Sequence, residues 1–300
     1  MTEPVYLVDA SIYIFRAYFS IPDSFVDTHG EPVNAVYGYT NFVLDLLEKQ
    51  PKYISFAFDE SLNTCFRNDV YPQYKANRDL PDENLIFQVA KCQEITRLLG
   101  IHHLSLKRYE ADDIIGTLHT MFAADRPVII VTRDKDLGQL LRADDLLWDF
   151  AADLRTGPAE VKEKFGVHAH QIADYLALAG DTVDNIPGAP GIGAKSAAKI
   201  LAHFGNIDRL YLAIDEIENI GLRGASKAKQ TLLKCEDSVR MFREITRIKC
   251  DIDIAVSLQD LKPSPASSDE LRSFCDAMNF GERVRDRLAA MGQTSLSQQS

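Results

Sequence analysis

The sequence predicts an α/β protein in which a mainly parallel sheet flanked by helices is followed by a helical region. Short apolar runs alternate with longer segments of helical spacing through the first half of the 300-residue chain. The continuous β-branched run at residues 128–132 is typical of a parallel strand covered on both faces. Beyond about Gly157 the strand pattern disappears, and helical segments follow one another up to a short polar tail.

Each predicted element rests on its own pattern. Buried strands are expected at residues 5–8, 53–58 and 128–132, and helices in the first half at residues 32–49, 85–99 and 111–122. Helices in the second half are expected at residues 158–165, 170–179, 194–204, 207–214 and 226–249. We therefore divide the chain into a core (1–156), a helical region (157–255), C-terminal helices (256–292) joined by a linker at 262–265, and a disordered polar tail (293–300).

Composition excludes several classes of protein. The five cysteines form no C-x-x-C motif, so neither a disulfide framework nor a structural zinc site is expected. No apolar stretch reaches membrane-spanning length, and no leader is recognisable, so we expect a cytoplasmic protein without membrane contact. The net charge of −11 argues against nucleic acid, but nine acids that fall in one predicted site supply most of it.

Acidic residues follow the predicted strands. Asp9 ends the first strand, Asp59 follows the second, and Asp134 and Asp136 follow the third. The carboxyl ends of parallel strands line one crevice, where these carboxylates would repel one another strongly. Divalent Mg²⁺ or Mn²⁺ is the expected remedy, because both prefer oxygen ligands.

Two further segments add five acids, namely Glu110, Asp112, Asp113, Asp181 and Asp184. Taken alone, Asp112 or Asp113 is equally well explained as a cap on the next helix, and Asp181 and Asp184 as an ordinary Asx-turn. Acids spread over five segments, three of which end strands, nevertheless favour a site for two metal ions. Such sites hydrolyse phosphodiester bonds.

A glycine-rich hairpin joins two predicted helices at residues 186–199. Gly191 and Gly193 allow positive φ and close backbone approach, while Lys195 and Lys199 share one helix face. This combination favours contact with a DNA backbone, although a plain helix–helix turn remains the alternative. The segment lacks the glycine before lysine of a nucleotide P-loop and follows a helix, so a P-loop is rejected.

Basic and aromatic residues cluster after the second strand. Lys75 and Arg78 are expected to project together over the crevice, with Arg16 and Arg67 close by and with Tyr71 and Tyr74 placed to stack on bases, so all six are candidate substrate contacts. A second basic stretch, residues 223–249, is as well explained by a solvated helix face.

Together these motifs resemble the bacterial and phage 5′-nuclease family, which includes the 5′-nuclease domain of DNA polymerase I and is related to flap endonucleases. The resemblance covers about residues 4–255 and lies in segments 7–18, 57–59, 66–67, 74–78, 110–113, 132–136 and 180–193. It implies a PIN-like sheet, a helical arch at about residues 66–84 and a helix-hairpin-helix at about residues 180–204.

The resemblance also implies a role for each matched position. The first of two Mg²⁺ or Mn²⁺ ions would be held by Asp9, Asp59, Glu110 and Asp112. The second would be held by Asp134, Asp136 and Asp181, with Asp113 and Asp184 supporting through water. Lys75, Arg78 and Arg16 would bind the scissile phosphate, and the hairpin would bind duplex DNA with a K⁺ ion.

The implied activity is that of a stand-alone 5′→3′ exonuclease and flap endonuclease of replication or repair. Its partner would be branched or 5′-ended DNA such as a flap, nick or RNA-primer junction. We expect a monomer functionally coupled to a separate DNA polymerase. Arg133 departs from the family pattern, where a small residue is usual, and could pair with a metal carboxylate or phosphate. The alternatives are a catalytically weak branched-DNA-binding protein and a PIN-like ribonuclease.

Overall fold

The computed structural model describes residues 2–60, 65–264 and 268–294. It contains a six-stranded sheet with the order β3-β2-β1-β4-β5-β6. The strands are β1 (Val5–Asp9), β2 (Tyr53–Phe58), β3 (His102–Ser105), β4 (Val128–Val131), β5 (Leu146–Asp149) and β6 (Leu154–Thr156). Neighbouring strands run parallel, except that β6 pairs antiparallel with β5 at the edge. The predicted α/β fold is confirmed.

The three strands found from the sequence form the centre of the sheet. All six residues of β2 are buried, and β1 is buried except for the half-buried Tyr6. The other three strands lie outside these: β3 is half-buried along its length, β5 is buried only at its two central residues, and β6 is mostly exposed. A strand covered on both faces must be continuously apolar, whereas these outer strands carry no such pattern.

Helices of the first half cover both faces of the sheet. They are α1 (Ala10–Ser20), α2 (Asn34–Leu47), α3 (Phe66–Val70), α4 (Glu83–Leu98) and α5 (Ala111–Phe122). Helix α5 packs its Ile114, Ile115 and Leu118 against one face, while α1, α2 and α4 contribute to a separate apolar cluster on the other. The sequence analysis did not identify α1.

The second half is helical, as predicted. Its helices are α6 (Pro158–Phe165), α7 (Ile172–Ala179), α8 (Ala194–Phe204), α9 (Ile207–Leu212), α10 (Ala225–Lys234) and α11 (Glu236–Thr246). The single helix expected at residues 226–249 is two helices, because the chain leaves helical geometry at Cys235 (φ −114°, ψ 19°). The apolar cluster beneath α5 continues into α7, α8 and α11, so this region shares a core with the sheet.

The last described stretch of the chain contains two helices, α12 (Ser268–Ala277) and α13 (Glu282–Thr294). Leu271, Phe274 and Leu288 are buried in the same cluster as α2 and α4. Positions 293 and 294 of the expected tail are the last residues of α13, and residues 295–300, like Pro265 of the expected linker, lie outside the described residues. Across the described ranges, we find no helix that is both long and apolar enough for a transmembrane span.

Candidate active site at the carboxyl edge of the sheet

The strand order brings three acids to one edge. Asp9 is the last residue of β1, Asp59 directly follows the neighbouring β2, and Asp134 lies three residues after the end of the neighbouring β4. Asp9 also caps α1, where its carboxylate accepts a hydrogen bond from the Ile12 amide at 3.4 Å. This placement agrees with the expectation from the sequence.

Burial and mutual repulsion raise the pKa values of several of these acids. The pKa of Asp9 is raised to about 7, first by burial and then by the charges of Asp59 and Asp134. Burial also raises the pKa of Asp112, and Asp134 and Asp9 add to the effect. Burial raises the pKa of Asp134 itself. Asp112 therefore lies close enough to Asp9 and Asp134 to interact with their charges.

Asp136 is the least satisfied of these acids. Its Oδ1 atom is buried and has no hydrogen-bond partner among the described residues. The pKa of Asp136 is raised to about 8 by burial and by the charge of Asp134. A buried carboxylate oxygen without a partner is rare in folded proteins and calls for a ligand.

Carboxylate oxygens that lie close together and repel one another are suitable ligands for a hard divalent cation. In the described part of the chain, however, no three histidine, cysteine or carboxylate side chains converge tightly enough to enclose an ion. The acids share an edge and repel one another through space, and several of their oxygens are engaged in hydrogen bonds within the protein.

Four of these acids have no cationic partner among the described residues, and we call them the unpaired acids: Asp9, Asp112, Asp134 and Asp136. Glu110 lies beside them, but its charge is balanced by cations. Its two carboxylate oxygens contact Lys75 Nζ at 2.5 Å and Arg67 Nη1 at 3.2 Å, and the Tyr74 hydroxyl donates to it at 2.9 Å. Burial alone would raise the pKa of Glu110, but Lys75 and Arg67 outweigh burial and lower it. The same contacts raise the pKa of Lys75 above its usual range, against the effect of burial.

Asp184 and Asp181 are also paired. Arg78 Nη2 donates to Asp184 at 2.8 Å, and the Tyr74 hydroxyl donates to the other oxygen at 3.1 Å. Asp181 accepts from Lys135 Nζ at 2.9 Å and from the Val183 amide at 2.8 Å. The second contact is an Asx-turn, so that alternative from the sequence analysis is present alongside the contact with Lys135.

Arg67 and Asp113 do not lie where the sequence analysis expected them. Arg67 is 2% exposed and donates to both oxygens of Asp113, at 2.6 and 2.7 Å, and to the Ile245 carbonyl at 2.7 Å. Asp113 also accepts from the amides of Glu110 and Lys249. Every oxygen of Asp113 is therefore used within the protein, and the helix-cap alternative describes it, whereas Arg67 presents no surface to DNA.

The segment between α3 and α4 differs from the expected helical arch. Residues 72–77 form turns, and Lys75 has a positive φ of 54°. Tyr74 is buried with its hydroxyl on Glu110 and Asp184, so its ring is not free to stack on a base. The half-buried Tyr71 packs edge-on against Phe242 at 5.7 Å. The site's carboxylates hold this segment against the sheet edge, an effect that local periodicity cannot reveal.

Two residues in the site were missed from the sequence. The buried Thr132 donates from Oγ1 to Asp9 at 2.9 Å and accepts from the Asp134 amide at 2.9 Å, so it orients two acids at once. Lys135, between two acids of the same motif, neutralises Asp181. The polar residue directly after a β-branched strand was the available signal for Thr132.

Two arginines flank the site. Arg133 pairs with Asp149 at 3.1 Å rather than with a metal-ligand candidate. Arg16 is exposed on α1, and its side chain makes no ion pair with any residue in the described ranges.

The glycine hairpin connects α7 to α8. A Cβ atom at Gly188 would overlap the backbone of Gly180, so the two ends of the loop touch. Gly191 has φ +78°, whereas Gly193 has φ −88° and needs no left-handed freedom, contrary to expectation. Both face open space. Lys195 and Lys199 are exposed, and Lys199 Nζ donates to the Gly221 carbonyl at 2.6 Å.

Comparison with known families agrees with this arrangement. Residues 4–166 match the model of the 5′-3′ exonuclease N-terminal resolvase-like domain, and residues 167–269 match that of the 5′-3′ exonuclease C-terminal SAM fold. The chain belongs to the 5′-3′ exonuclease family. The resemblance inferred from its motifs, and its assignment as a nuclease, are confirmed.

Relatives of this exonuclease-family chain fall into two groups. It is 31% identical to a 5′-3′ exonuclease of Buchnera aphidicola, over 93% of this chain and 98% of that protein. It is 36% identical to DNA polymerase I of Rhizobium leguminosarum, over 94% of this chain but 28% of the polymerase. The chain thus spans about a third of the DNA polymerase I relatives it matches. In fold, it resembles T5 5′-exonuclease with bound zinc (TM-score 0.66, 20% identity, 98% and 99% of the two chains).

Proposed function

We propose that this chain is a divalent-metal-dependent 5′→3′ exonuclease and 5′-flap endonuclease that hydrolyses DNA phosphodiester bonds with two metal ions. The observation that carries the proposal is the group of unpaired acids at the sheet edge. Asp9 and Asp136 keep pKa values of about 7 and 8, and one Asp136 oxygen is buried without a partner. Near neutral pH these carboxylates need either bound protons or a metal ion to relieve their repulsion.

The candidate ligands divide as the family resemblance implies. One Mg²⁺ or Mn²⁺ would be held by Asp9, Asp59, Glu110 and Asp112, and a second by Asp134, Asp136 and Asp181. When bound, such ions generate a nucleophilic hydroxide and stabilise the attacking and leaving oxygens. Glu110 and Asp181 would exchange their present cationic partners, Lys75 and Lys135, for an ion. Asp184 would support the second ion through water.

The cations already in the site have a second task in this proposal. Lys75 and Arg78, released from Glu110 and Asp184, would bind the scissile phosphate, and the exposed Arg16 would join them. Positive groups held close to a developing phosphate charge stabilise the transition state. Arg67 would act indirectly, because its contacts with Glu110 and Asp113 fix the start of α5.

The hairpin would bind the duplex part of the substrate. Lys195 and Lys199 lie on the exposed face of α8, and the backbone at Gly191 and Gly193 is open to a phosphate group. A K⁺ ion held by backbone oxygens of the hairpin would complete this contact. We also propose that the protein acts as a monomer in the cytoplasm and supplies its product, a trimmed nick or gap, to a separate DNA polymerase.

The test is single-turnover cleavage of a 5′-labelled DNA flap with and without Mg²⁺ or Mn²⁺. We expect metal-dependent release of the flap and of short 5′ products. Binding without cleavage at any metal concentration would identify a branched-DNA-binding protein instead. Faster cleavage of an RNA strand of the same sequence in single-stranded form would indicate a PIN-like ribonuclease.

A further inference from the structure

A second glycine turn lies beside the hairpin and resembles it in sequence, although Gly224 is left-handed (φ +73°) and Gly193 is extended. The segment Gly-Leu-Arg-Gly-Ala-Ser-Lys at residues 221–227 leads into α10 as Gly-Ile-Gly-Ala-Lys-Ser at residues 191–196 leads into α8. Gly191 and Gly221 both have positive φ, at 78° and 67°. Neither Gly193 nor Gly224, the residues before the two helices, carries a capping side chain.

The helix that follows the hairpin contacts the second turn. Lys199, in the helix that follows the hairpin, donates from Nζ to the carbonyl of Gly221 at 2.6 Å. Gly193 and Gly224 both face open space, where an added Cβ atom would meet nothing within 4 Å. The two turns therefore form neighbouring parts of one accessible surface.

The structure divides the eight basic residues of the stretch 223–249 into three that pair with acids and five that form no ion pair with a described residue. Lys229 pairs with Asp215 at 2.7 Å, and Arg240 and Arg243 each pair with Asp208 at 2.8 and 2.7 Å. These residues balance acids of the helical region itself. They fit the solvated helix face that the sequence analysis left open.

Arg223 and Lys227 belong to the other group. Both are exposed at the second glycine turn, and neither forms an ion pair with a residue in the described part of the chain. No ion pair with a described residue balances their positive charge, although the chain as a whole carries a net charge of −11. Unpaired cations next to an open backbone turn match the regular negative charge of a nucleic-acid backbone.

We propose that Arg223 and Lys227 bind the sugar-phosphate backbone of duplex DNA next to the stretch that the hairpin holds. The proposal rests on the proposed function, and it adds a second contact surface on the far side of Lys199. Because these contacts reach phosphates rather than base edges, they would lengthen the duplex footprint without adding sequence preference.

The experiment measures the salt dependence of binding of a 5′-flap DNA, in metal-free buffer, to the full chain. Single variants Arg223→Ala and Lys227→Ala are compared with Lys195→Ala in the hairpin and with Lys229→Ala. Lys229→Ala is the matched control. This substitution also removes one positive charge from α10, but at a side chain that already pairs with acids. Each lost phosphate contact should reduce the slope of log K against log salt by about 0.9.

We expect reduced slopes for Arg223→Ala and Lys227→Ala, and an unchanged slope with unchanged kcat at saturating flap for the control Lys229→Ala. Reduced slope in Lys195→Ala alone would overturn this inference and leave the hairpin assignment intact. An equal loss in Lys229→Ala would also overturn it, because net charge rather than contact would then explain binding. Absence of flap binding by the unmodified chain would contradict the proposed function itself.

Discussion

Seven acids at the sheet edge form two groups that differ in how their charge is balanced. The paired acids, Glu110, Asp181 and Asp184, each contact a lysine or arginine within 3 Å. The unpaired acids, Asp9, Asp112, Asp134 and Asp136, have no cationic partner within salt-bridge distance among the residues described, and their pKa values are raised.

This difference indicates how one site can hold both metal ions and a phosphate. Crowded carboxylates without cations attract divalent ions, because an ion removes their mutual repulsion. Lysine and arginine side chains that pair with neighbouring carboxylates can exchange these partners for the negatively charged phosphate of a substrate. Variants that disturb one group and leave the other intact can test this division.

The largest effect is expected from the unpaired acids. Asp134→Asn keeps the shape of the side chain but removes one charge, so we expect weaker Mn²⁺ binding and cleavage slower by about 10³-fold or more. Flap binding should persist or tighten, because less negative charge then faces the DNA. Asp134→Asn/Asp181→Asn should be little worse than either single variant, because residues that serve one ion are not additive.

Titration calorimetry with Mn²⁺ and single-turnover cleavage check this prediction. Asp149→Asn is the control, since Asp149 is bound to Arg133 and lies outside the unpaired acids. Unchanged Mn²⁺ affinity in Asp134→Asn would show that the unpaired acids do not hold the ion.

The next effect concerns stability rather than chemistry. Arg67→Met leaves the carboxylate of Asp113 buried without its bidentate partner, so we expect a loss of about 3–5 kcal/mol in the free energy of unfolding. Arg108→Met breaks an exposed pair with Asp69 and should cost less than about 1 kcal/mol. Urea unfolding of both variants measures the difference. Equal losses would mean that the buried pair contributes no more than a surface one.

A smaller effect is expected from the paired acids. Lys75→Met should lower kcat and kcat/KM alike, by about 10²-fold, because Lys75 acts on the transition state in the proposed function. Lys91→Met, which breaks a surface pair with Glu94 on α4, is the control for loss of a lysine. An increase in KM alone would place Lys75 in ground-state binding. Thermal unfolding of both variants shows whether Glu110, left without its lysine, changes the fold.

How much of this could be predicted from the sequence depends on the range of the interactions. The central strands were predicted because burial on both faces produces a continuous apolar run of residues. Helix α5 was predicted because its apolar residues recur at helical spacing after an acidic cap. Strand β6 was missed because it is mostly exposed and pairs only with the neighbouring β5, so no apolar pattern marks it. The turns at residues 72–77 form because Lys75 and Arg78 bind acids from distant segments.

The same reason explains which acids could be located at the sheet edge from the sequence. Asp9, Asp59 and Asp134 follow from strand ends alone, since parallel strands must end at one edge. Whether an acid is unpaired or neutralised is decided by residues 35 or more positions away, as for Glu110 with Lys75 and for Asp113 with Arg67. Sequence spacing treated Asp112 and Asp113 alike, yet a rotation of 100° about the helix axis separates a metal-ligand candidate from a structural cap.

The smallest expected effect is a pH dependence that only the unpaired acids should show. Folding raises the pKa of Asp9 to about 7 and that of Asp136 to about 8, whereas unfolded carboxyls titrate near pH 4. The folded, metal-free chain then holds protons that the unfolded chain has released. Stability from these groups is complete below about pH 4 and is lost as the pH rises through 7 and 8.

Below the folded-state pKa of its group, each such proton corresponds to about 1.4 kcal/mol per pH unit, so the metal-free melting temperature should fall by several degrees between pH 6 and 8. Saturating Mg²⁺ should abolish most of this fall, because the ion replaces the protons, and its stabilising effect should be larger at pH 8 than at pH 6. Asp136→Asn should flatten the metal-free profile, whereas Asp149→Asn should leave it unchanged. Melting curves that fall equally with and without Mg²⁺ would show that the crowding of these acids is not what a metal ion relieves.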